Sequence, residues 1–266
     1  MLEQASTRGV LRGPVDGVLP AWMLYTEYAV QKIAKTIQLT VEEKSQLLHF
    51  RDTLKRLLLE AWRQTKAKPV SIYKAVIDGT YRVGGRLYAP DGAWIHLRGN
   101  FTPYVPIHGI SAKAYFPDIL KLPRQRLEPL QLGWRASDEG EIGGRPVMYT
   151  TQPWQLFART TTRYGELRVR ITSANLTREG ASVEVAITAK SWRQIWCKAE
   201  AIDLVTGHLR RRVWAPVLTM WLGDGETKRG EVLSGEYKLV ISAREPWRLG
   251  LCKSTREALV ATGRGV

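Results

Sequence analysis

Apolar residues recur at helical spacing near the start of the chain and alternate with polar ones through its middle. From Ala21 to Lys66, Trp22, Tyr25, Ala29, Ile33 and Ile37 fall on one helical face. Thr40-Val41-Glu42-Glu43 then has capping-box spacing, and it opens a second helix carrying Leu47, Phe50, Leu54, Leu58 and Ala61 at three- and four-residue intervals. Glu43, Arg51, Lys55, Arg56 and Arg63 take its other faces. Two such helices joined by a short turn form an antiparallel hairpin that buries its apolar side against other elements.

From Lys68 the helical period gives way to short segments punctuated by Gly and Pro. Tyr81-Arg82-Val83 and Arg86-Leu87-Tyr88 lead through the turn Ala89 to Gly92 into the alternating run Ala93 to Arg98, which reads as a β-hairpin. Phe101 to Pro106 and Lys121 to Arg126 each carry prolines that remove backbone donors, so neither is expected to hold regular structure for long. Ser137 to Arg145, rich in Gly and acid, reads as an exposed loop or internal boundary. The clearest strands are Glu166 to Thr172 and Ser182 to Thr188. Leu167, Val169 and Ile171 share one face of the first, and Arg168 and Arg170 lie on its wet face, within reach of phosphates or of Glu184. A polar loop, Ser173 to Ala181, is expected between them.

These patterns make the protein α+β, with an N-terminal helical hairpin over 1–67, a β-rich body over 68–205 and a basic segment over 206–266. A hydrophobic share of 44% in 266 residues suits a globular protein with one large core or two smaller ones. Forty Lys and Arg against twenty-five Asp and Glu give a formal charge of +15, which makes nucleic acid the default partner. Lys190 to Lys198 and His208 to Trp214 interleave aromatic and basic residues, a composition suited to stacking on bases and pairing with phosphates. The run Arg210-Arg211-Arg212 is the densest cationic feature within it.

Several chemistries are not supported. Cys197 and Cys252 have neither disulfide-framework nor zinc-knuckle spacing, the four histidines lie far apart, and Gly79 to Gly85 lacks the Lys-Ser/Thr of a phosphate loop. No signal peptide or membrane-length apolar run is visible, so the expectation is a cytoplasmic protein with no membrane partner. Asparagine occurs only at Asn100 and Asn175, in the direction of a thermophile, although a GC-rich genome gives a similar composition.

The segment Trp214 to Glu226 carries the most specific order: an apolar run closing on Leu222-Gly223-Asp224-Gly225. Gly223 and Gly225 let such a helix approach a second one closely, and Asp224 is delivered to the base of the contact. Val217 to Gly225 resembles the motif of the LAGLIDADG homing endonucleases in its Leu-Gly-Asp-Gly variant. In that family the motif helix forms the dimer or pseudo-dimer interface and is followed by two strands and a helix, then by a second strand pair and a final helix. Tyr237 to Ala243 alternates like a strand, and Ser254-Thr255-Arg256-Glu257 has capping-box spacing, so a partial helix-strand-strand-helix repeat is expected at the C-terminus.

The resemblance implies that Asp224 is both the catalytic residue and the metal ligand, holding Mg²⁺ or a similar hard cation, and that Gly223 and Gly225 mediate helix pairing. It also implies that Lys228, Arg229, Lys238 and Arg244, together with Arg210, Arg211 and Arg212, follow a DNA backbone. A second motif is not visible elsewhere in the chain, so cleavage is expected to need a homodimer. The repeat also stops short at Val266, which makes a degenerate DNA-binding relic an equal expectation. If the protein is an enzyme, it is a metal-dependent DNA endonuclease. The alternative is a non-enzymatic structural or assembly protein of a virus or nucleoprotein complex.

Overall fold

The computed structural model describes residues 2–6, 11–77, 82–83, 86–88, 94–96, 102–107, 109–177, 180–227, 237–241 and 261–263. The elements follow the order α1 (Leu2–Ser6), α2 (Val15–Thr36), α3 (Val41–Ile77), β1 (Arg82–Val83), β2 (Arg86–Tyr88), β3 (Trp94–His96), β4 (Thr102–Pro106) and β5 (Ser111–Phe116). After these come α4 (Arg124–Ala136), β6 (Glu139–Ile142), β7 (Arg145–Thr150), α5 (Pro153–Thr162), β8 (Gly165–Thr177), β9 (Gly180–Ala189), α6 (Lys198–Arg210), α7 (Trp214–Asp224), β10 (Gly225–Thr227), β11 (Tyr237–Ile241) and β12 (Ala261–Gly263). The protein is α+β, with helices leading and strands dominating the middle. Among the described residues no helix is long and apolar enough to cross a membrane.

The chain divides into two compact units, Met1–Leu120 with Val147–Trp192, and Lys121–Pro146 with Arg193–Val266. This division differs from the three consecutive segments expected. The 67/68 boundary falls inside α3, because Pro69 removes a single donor and the helical bonds on either side carry the chain to Ile77. The body expected at 68–205 is shared between both units, since packing joins segments distant in sequence. Pro146 closes a unit segment one residue beyond the boundary expected at 137–145.

The first unit is an antiparallel sheet with helices on one face. Its order runs β1-β2-β3-β4-β8-β9-β7, and β5 also lies along β8. Leu167, Val169 and Ile171 of β8 are buried while Glu166 and Arg168 are exposed, so the two-faced reading of this strand holds. The polar loop expected at Ser173 to Ala181 is mostly strand instead. An irregularity between Ile171 and Ser173 shifts the register against β9, after which pairing continues to Thr177 opposite Gly180. Pro103 and Pro106 likewise sit inside β4, because extended backbone suits the proline φ and each proline forfeits only one donor.

The helical hairpin forms as its pattern predicts. The Thr40 hydroxyl accepts from Glu43 N–H at 3.2 Å and the Glu43 carboxylate accepts from Thr40 N–H at 2.7 Å, completing the capping box. Leu47, Phe50, Leu54, Leu58 and Ala61 are all buried. Phe50 meets Phe116 of β5 edge-on at 5.1 Å and Phe157 of α5 at 5.9 Å, fastening α3 to the sheet. Between the helices, Glu27 accepts from Arg51 at 3.1 Å and Lys55 at 3.0 Å. At the far end Trp62 Nε1 donates to Asp16 at 3.2 Å. Ahead of α2, Gly13 exchanges backbone hydrogen bonds with Ala181 of β9 at 3.1 and 2.7 Å.

The Lys55 hydrogen bond, reinforced by the charges of Lys55 and Arg51, holds the Glu27 carboxyl below its ordinary pKa. A depressed carboxyl stabilises the fold above its unfolded-state pKa and loses that contribution as pH falls through the folded value. Glu27→Gln is therefore expected to cost up to about 1 kcal/mol near neutrality, as for other partly exposed pairs. The difference from wild type should vanish below the carboxylate range. Chemical denaturation of both proteins across acid pH measures this convergence.

Candidate carboxylate helices and nucleic-acid interface

The second unit is organised by three helices. Leu132 and Ala136 of α4, Ala201 and Val205 of α6, and Val217 and Met220 of α7 form its buried core, with Trp196 and Trp221 packed against them. The sequence pattern did not announce α4, since Pro123 precedes it and Pro129 lies within it. Pro123 is the N-cap, whose N–H has no intrahelical partner, while Pro129 in the second turn forfeits one helical bond that the turns on either side outlast.

The expected close approach at Gly223 exists, and the helix that α7 meets is α4 of the same chain. A Cβ added at Gly223 would overlap the Ser137 hydroxyl and come within 2.6 Å of Ser137 Cβ and 3.4 Å of Asp138 N. One added at Gly133 would overlap the Pro216 carbonyl and the Thr219 hydroxyl and come within 2.8 Å of Met220 N. Gly133 stands as far before Asp138 as Thr219 stands before Asp224, and Ser137 and Gly223 each immediately precede their aspartate. Like positions therefore meet at two levels, each pairing a glycine with a small hydroxyl residue. This is a self-complementary contact with local two-fold character, and it requires α4 and α7 to run in the same direction with their C-terminal ends side by side.

The hydroxyls at this contact are satisfied without reaching across it. Ser137 Oγ donates to the carbonyls of Gly133 and Trp134 at 3.1 and 3.2 Å, and Thr219 Oγ1 to those of Ala215 and Pro216 at 3.4 and 3.3 Å. Each side chain is folded onto its own helix, which keeps the contact thin. Beyond it the chain emerges at Asp138, which is exposed, and at Asp224, the last residue of α7. Lys198, at the start of α6, donates through Nζ to the Ser137 carbonyl, so a cation stands beside Asp138. Arg135, 8% exposed, braces the same end by donating to the carbonyls of Trp196 at 2.9 Å and Glu139 at 3.2 Å.

Carboxylates and helix C-terminal carbonyls are hard oxygen donors on the negative ends of two helix dipoles, the chemistry that suits Mg²⁺. Among the described residues no three His, Cys, Asp or Glu side chains cluster. The side chains of Asp224 and Lys238 lie outside the described ones; Gly225 opens β10 and Lys238 lies in β11. Lys228, Arg229, Arg244 and the helix expected after Ser254 also lie outside the described residues. The expected strand at Tyr237 to Ala243 is β11, paired antiparallel with β10.

The structure gives the three arginines a local explanation. Arg210 ends α6, Arg211 is its C-cap, and Arg212 takes the left-handed conformation with φ 59°. Val213 N–H bonds to the His208 carbonyl and Arg212 N–H to that of Leu209, both at 2.9 Å, the paired bonds of a Schellman ending. All three are exposed, and their charge complements the helix dipole. The aromatic residues expected beside them divide by role. Trp192 Nε1 donates to the Tyr164 carbonyl at 2.7 Å and its ring meets that of Tyr164 edge-on, while Trp196 packs on the helical core. Trp214 stays 49% exposed.

In the first unit the exposed sheet face is basic. Lys113 of β5 lies opposite Arg168 of β8, and Ser111 lies opposite Arg170. Arg168 donates to Ser111 Oγ at 3.5 Å and Arg170 to Tyr149 Oη at 3.4 Å. Glu184, expected to pair with these arginines, instead accepts from the Thr172 hydroxyl at 2.6 Å. Tyr115 and Tyr149 remain 44% and 43% exposed on this face.

Sequence reading missed Gly133, Ser137, Asp138 and Lys198. The available signal was the parallel between Gly133-Trp134-Arg135-Ala136-Ser137-Asp138 and Thr219-Met220-Trp221-Leu222-Gly223-Asp224, with small residues at matching places before an aspartate. Arg135 and the two prolines obscured it.

Gly133→Leu and Gly223→Leu should each destabilise the protein by at least about 1–3 kcal/mol through overpacking, read as a lower denaturation midpoint. Gly17→Ala is the contrast, because the added Cβ meets nothing nearer than Pro14 Cδ at 3.7 Å. That change should raise stability by about 0.5–1 kcal/mol. Arg212→Gly should also stabilise, by about 1 kcal/mol, since glycine adopts the left-handed cap without the Cβ penalty. A thermal unfolding series compares it with Arg210→Gly, which lies in helical backbone and should destabilise.

Comparison with protein-family models, with curated proteins and with solved structures gave no match.

Proposed function

We propose that the protein is a DNA-binding, metal-dependent endonuclease in which both motif helices of a LAGLIDADG-type pair come from one chain. The observation that carries this reading is the reciprocal contact between α4 and α7, Gly133 on Thr219 and Gly223 on Ser137, which brings the chain out at Asp138 and Asp224 side by side. The element order supports it too. From α4 the chain runs helix, two strands, helix, two strands, helix, the order of a full repeat, and α7 with β10 and β11 begins a second. Asp138 thus supplies the carboxylate for which sequence reading invoked a second subunit.

The two aspartates would hold Mg²⁺, which polarises the scissile phosphate and activates water when bound. Lys198 offers its cation to the phosphate or to the charge developing on the leaving oxygen. Arg168, Arg170 and Lys113 supply sequence-independent phosphate contacts from the exposed sheet face, and Arg210, Arg211 and Arg212 supply further ones. DNA is the partner this reading favours, because in-line hydrolysis at paired carboxylates suits a phosphodiester backbone.

The test uses supercoiled plasmid in Mg²⁺ at low salt. Wild-type protein should nick or linearise it, and Asp138→Asn and Asp224→Asn should each lower the rate by at least about a hundredfold with binding and unfolding midpoint nearly unchanged. Cleavage surviving in both variants removes the carboxylate-pair mechanism. DNA binding without cleavage by wild type, under any divalent cation, would instead favour the non-enzymatic assembly role.

A further inference from the structure

Helix α7 has no side built for water. From Trp214 to Gly223 it carries no charged side chain, and Thr219, its one hydroxyl residue, is folded onto the helix at the α4 contact. A helix that is apolar all round is expected to be covered all round. Thr219 and Gly223 meet α4, while Val217 and Met220 enter the core shared with α6. The helical period sets Trp214 and Leu218 together on the side turned away from Thr219 and Gly223. There they remain 49% and 48% exposed, and Val213 just before them is 40% exposed.

The matching positions on α4 show what such a side ordinarily meets. Leu132 stands as far before Asp138 as Leu218 stands before Asp224, and Leu132 is buried in the core formed with α6. Glu128 holds the place of Trp214, and it pairs with Arg124 at 2.7 Å near the surface. So α4 gives one position to the core and one to a charge, whereas α7 is apolar at both and covers neither.

The border of this stripe is cationic. Arg210, Arg211 and Arg212 are exposed, run directly into Val213 and Trp214, and among the described residues meet no carboxylate; Arg211 Nε donates to the Gly207 carbonyl. We propose that the Val213-Trp214-Leu218 side of α7, edged by these arginines, is a docking surface for an acidic segment of a partner protein that carries apolar side chains at helical spacing. Trp and Arg are the residues that most often anchor such contacts. Charge selects the occupant. A second copy of this chain, itself at +15, would set a like cluster of arginines against the first across a two-fold contact. Nucleic acid would meet the arginines, but the aliphatic Val213 and Leu218 offer no ring for its bases. The surface stands whether or not Asp138 and Asp224 hydrolyse DNA. Because the same arginines serve the proposed phosphate contacts, partner and DNA exclude one another there.

The test is fluorescence anisotropy of the full chain with a labelled synthetic peptide of Glu, Asp, Leu and Phe whose apolar residues fall at i, i+3, i+4 and i+7. A scrambled peptide of the same composition and polyglutamate are the controls. Wild type should bind the patterned peptide at least about tenfold more tightly than either control. Leu218→Ser leaves the charge unchanged and should weaken that binding by roughly tenfold with a nearly unchanged unfolding midpoint, whereas Leu218→Met should bind near the wild-type level. Should the serine variant unfold, Trp214→Ala at the opening of the helix reads the same loss. Arg210→Gln/Arg211→Gln should also weaken binding and flatten its salt dependence. Wild type that binds no peptide, or binds either control as tightly as the patterned one, overturns the proposal. So does unchanged affinity in folded Leu218→Ser and Trp214→Ala. Wild-type self-association in sedimentation that Leu218→Ser abolishes would give the surface to a second copy, and oligothymidylate binding weakened as much as peptide binding by that variant would give it to nucleic acid; either result overturns the proposal.

Discussion

The second unit depends on how closely two helix backbones can approach. With Gly133 under Thr219 and Gly223 under Ser137, α4 and α7 meet without intervening side chains at two levels, and any Cβ at either glycine would strike a carbonyl, a hydroxyl or a neighbouring Cβ. That closeness governs the surroundings. Ser137 and Thr219 must fold their hydroxyls back onto their own helices, and the apolar residues Leu132, Ala136, Val217 and Met220 share one core with Ala201 and Val205 of α6. The two aspartates emerge together for the same reason, since a parallel pair with matched levels ends both helices at one place.

The first unit follows a different constraint, the alternation of a long strand. β8 carries β5 and β4 on one edge and β9 on the other, so its two faces propagate to every neighbour. Leu167, Val169 and Ile171 are buried on one side, and Phe116 of β5 meets Phe50 of α3 and Phe157 of α5 edge-on, while Arg168 and Arg170 on the other side meet Ser111 and Tyr149. A simple one-residue slip would exchange these faces. The extra residue in β8 after Ile171 shifts its register against β9, and pairing then continues to Thr177.

Function in this reading comes from cations and carboxylates set on rigid elements. Lys198 is held at the start of α6 by a capping box in which Cys197 and Glu200 exchange hydrogen bonds at 3.3 Å, and its Nζ is engaged by the end of α4. The three arginines have a structural role as a helix ending, yet they remain exposed, so capping and phosphate contact are compatible. Trp192 and Trp196 are not available in the same way, because their rings are used in packing.

Local periodicity alone determined the helical hairpin, the faces of β8 and β9, the β2-β3 hairpin and the helix ending at Asp224, because each depends on residues close in sequence. The capping box at Thr40 and the buried ladder Leu47, Phe50, Leu54, Leu58 were legible for that reason. Prolines misled where each removes no more than one bond: Pro103 and Pro106 sit within a strand, Pro123 caps α4, and Pro129 interrupts a single bond inside it. The sequence also marked Gly223 and Asp224 as a close helix contact and a carboxylate. It did not reveal the partner, because Gly133, Ser137 and Asp138 become significant only when α4 is placed beside α7, and that pairing of distant segments is a property of tertiary packing. The pairing of Lys113 with Arg168 across β5 and β8 was equally invisible along the chain, since cross-strand register, not sequence order, makes separated residues neighbours.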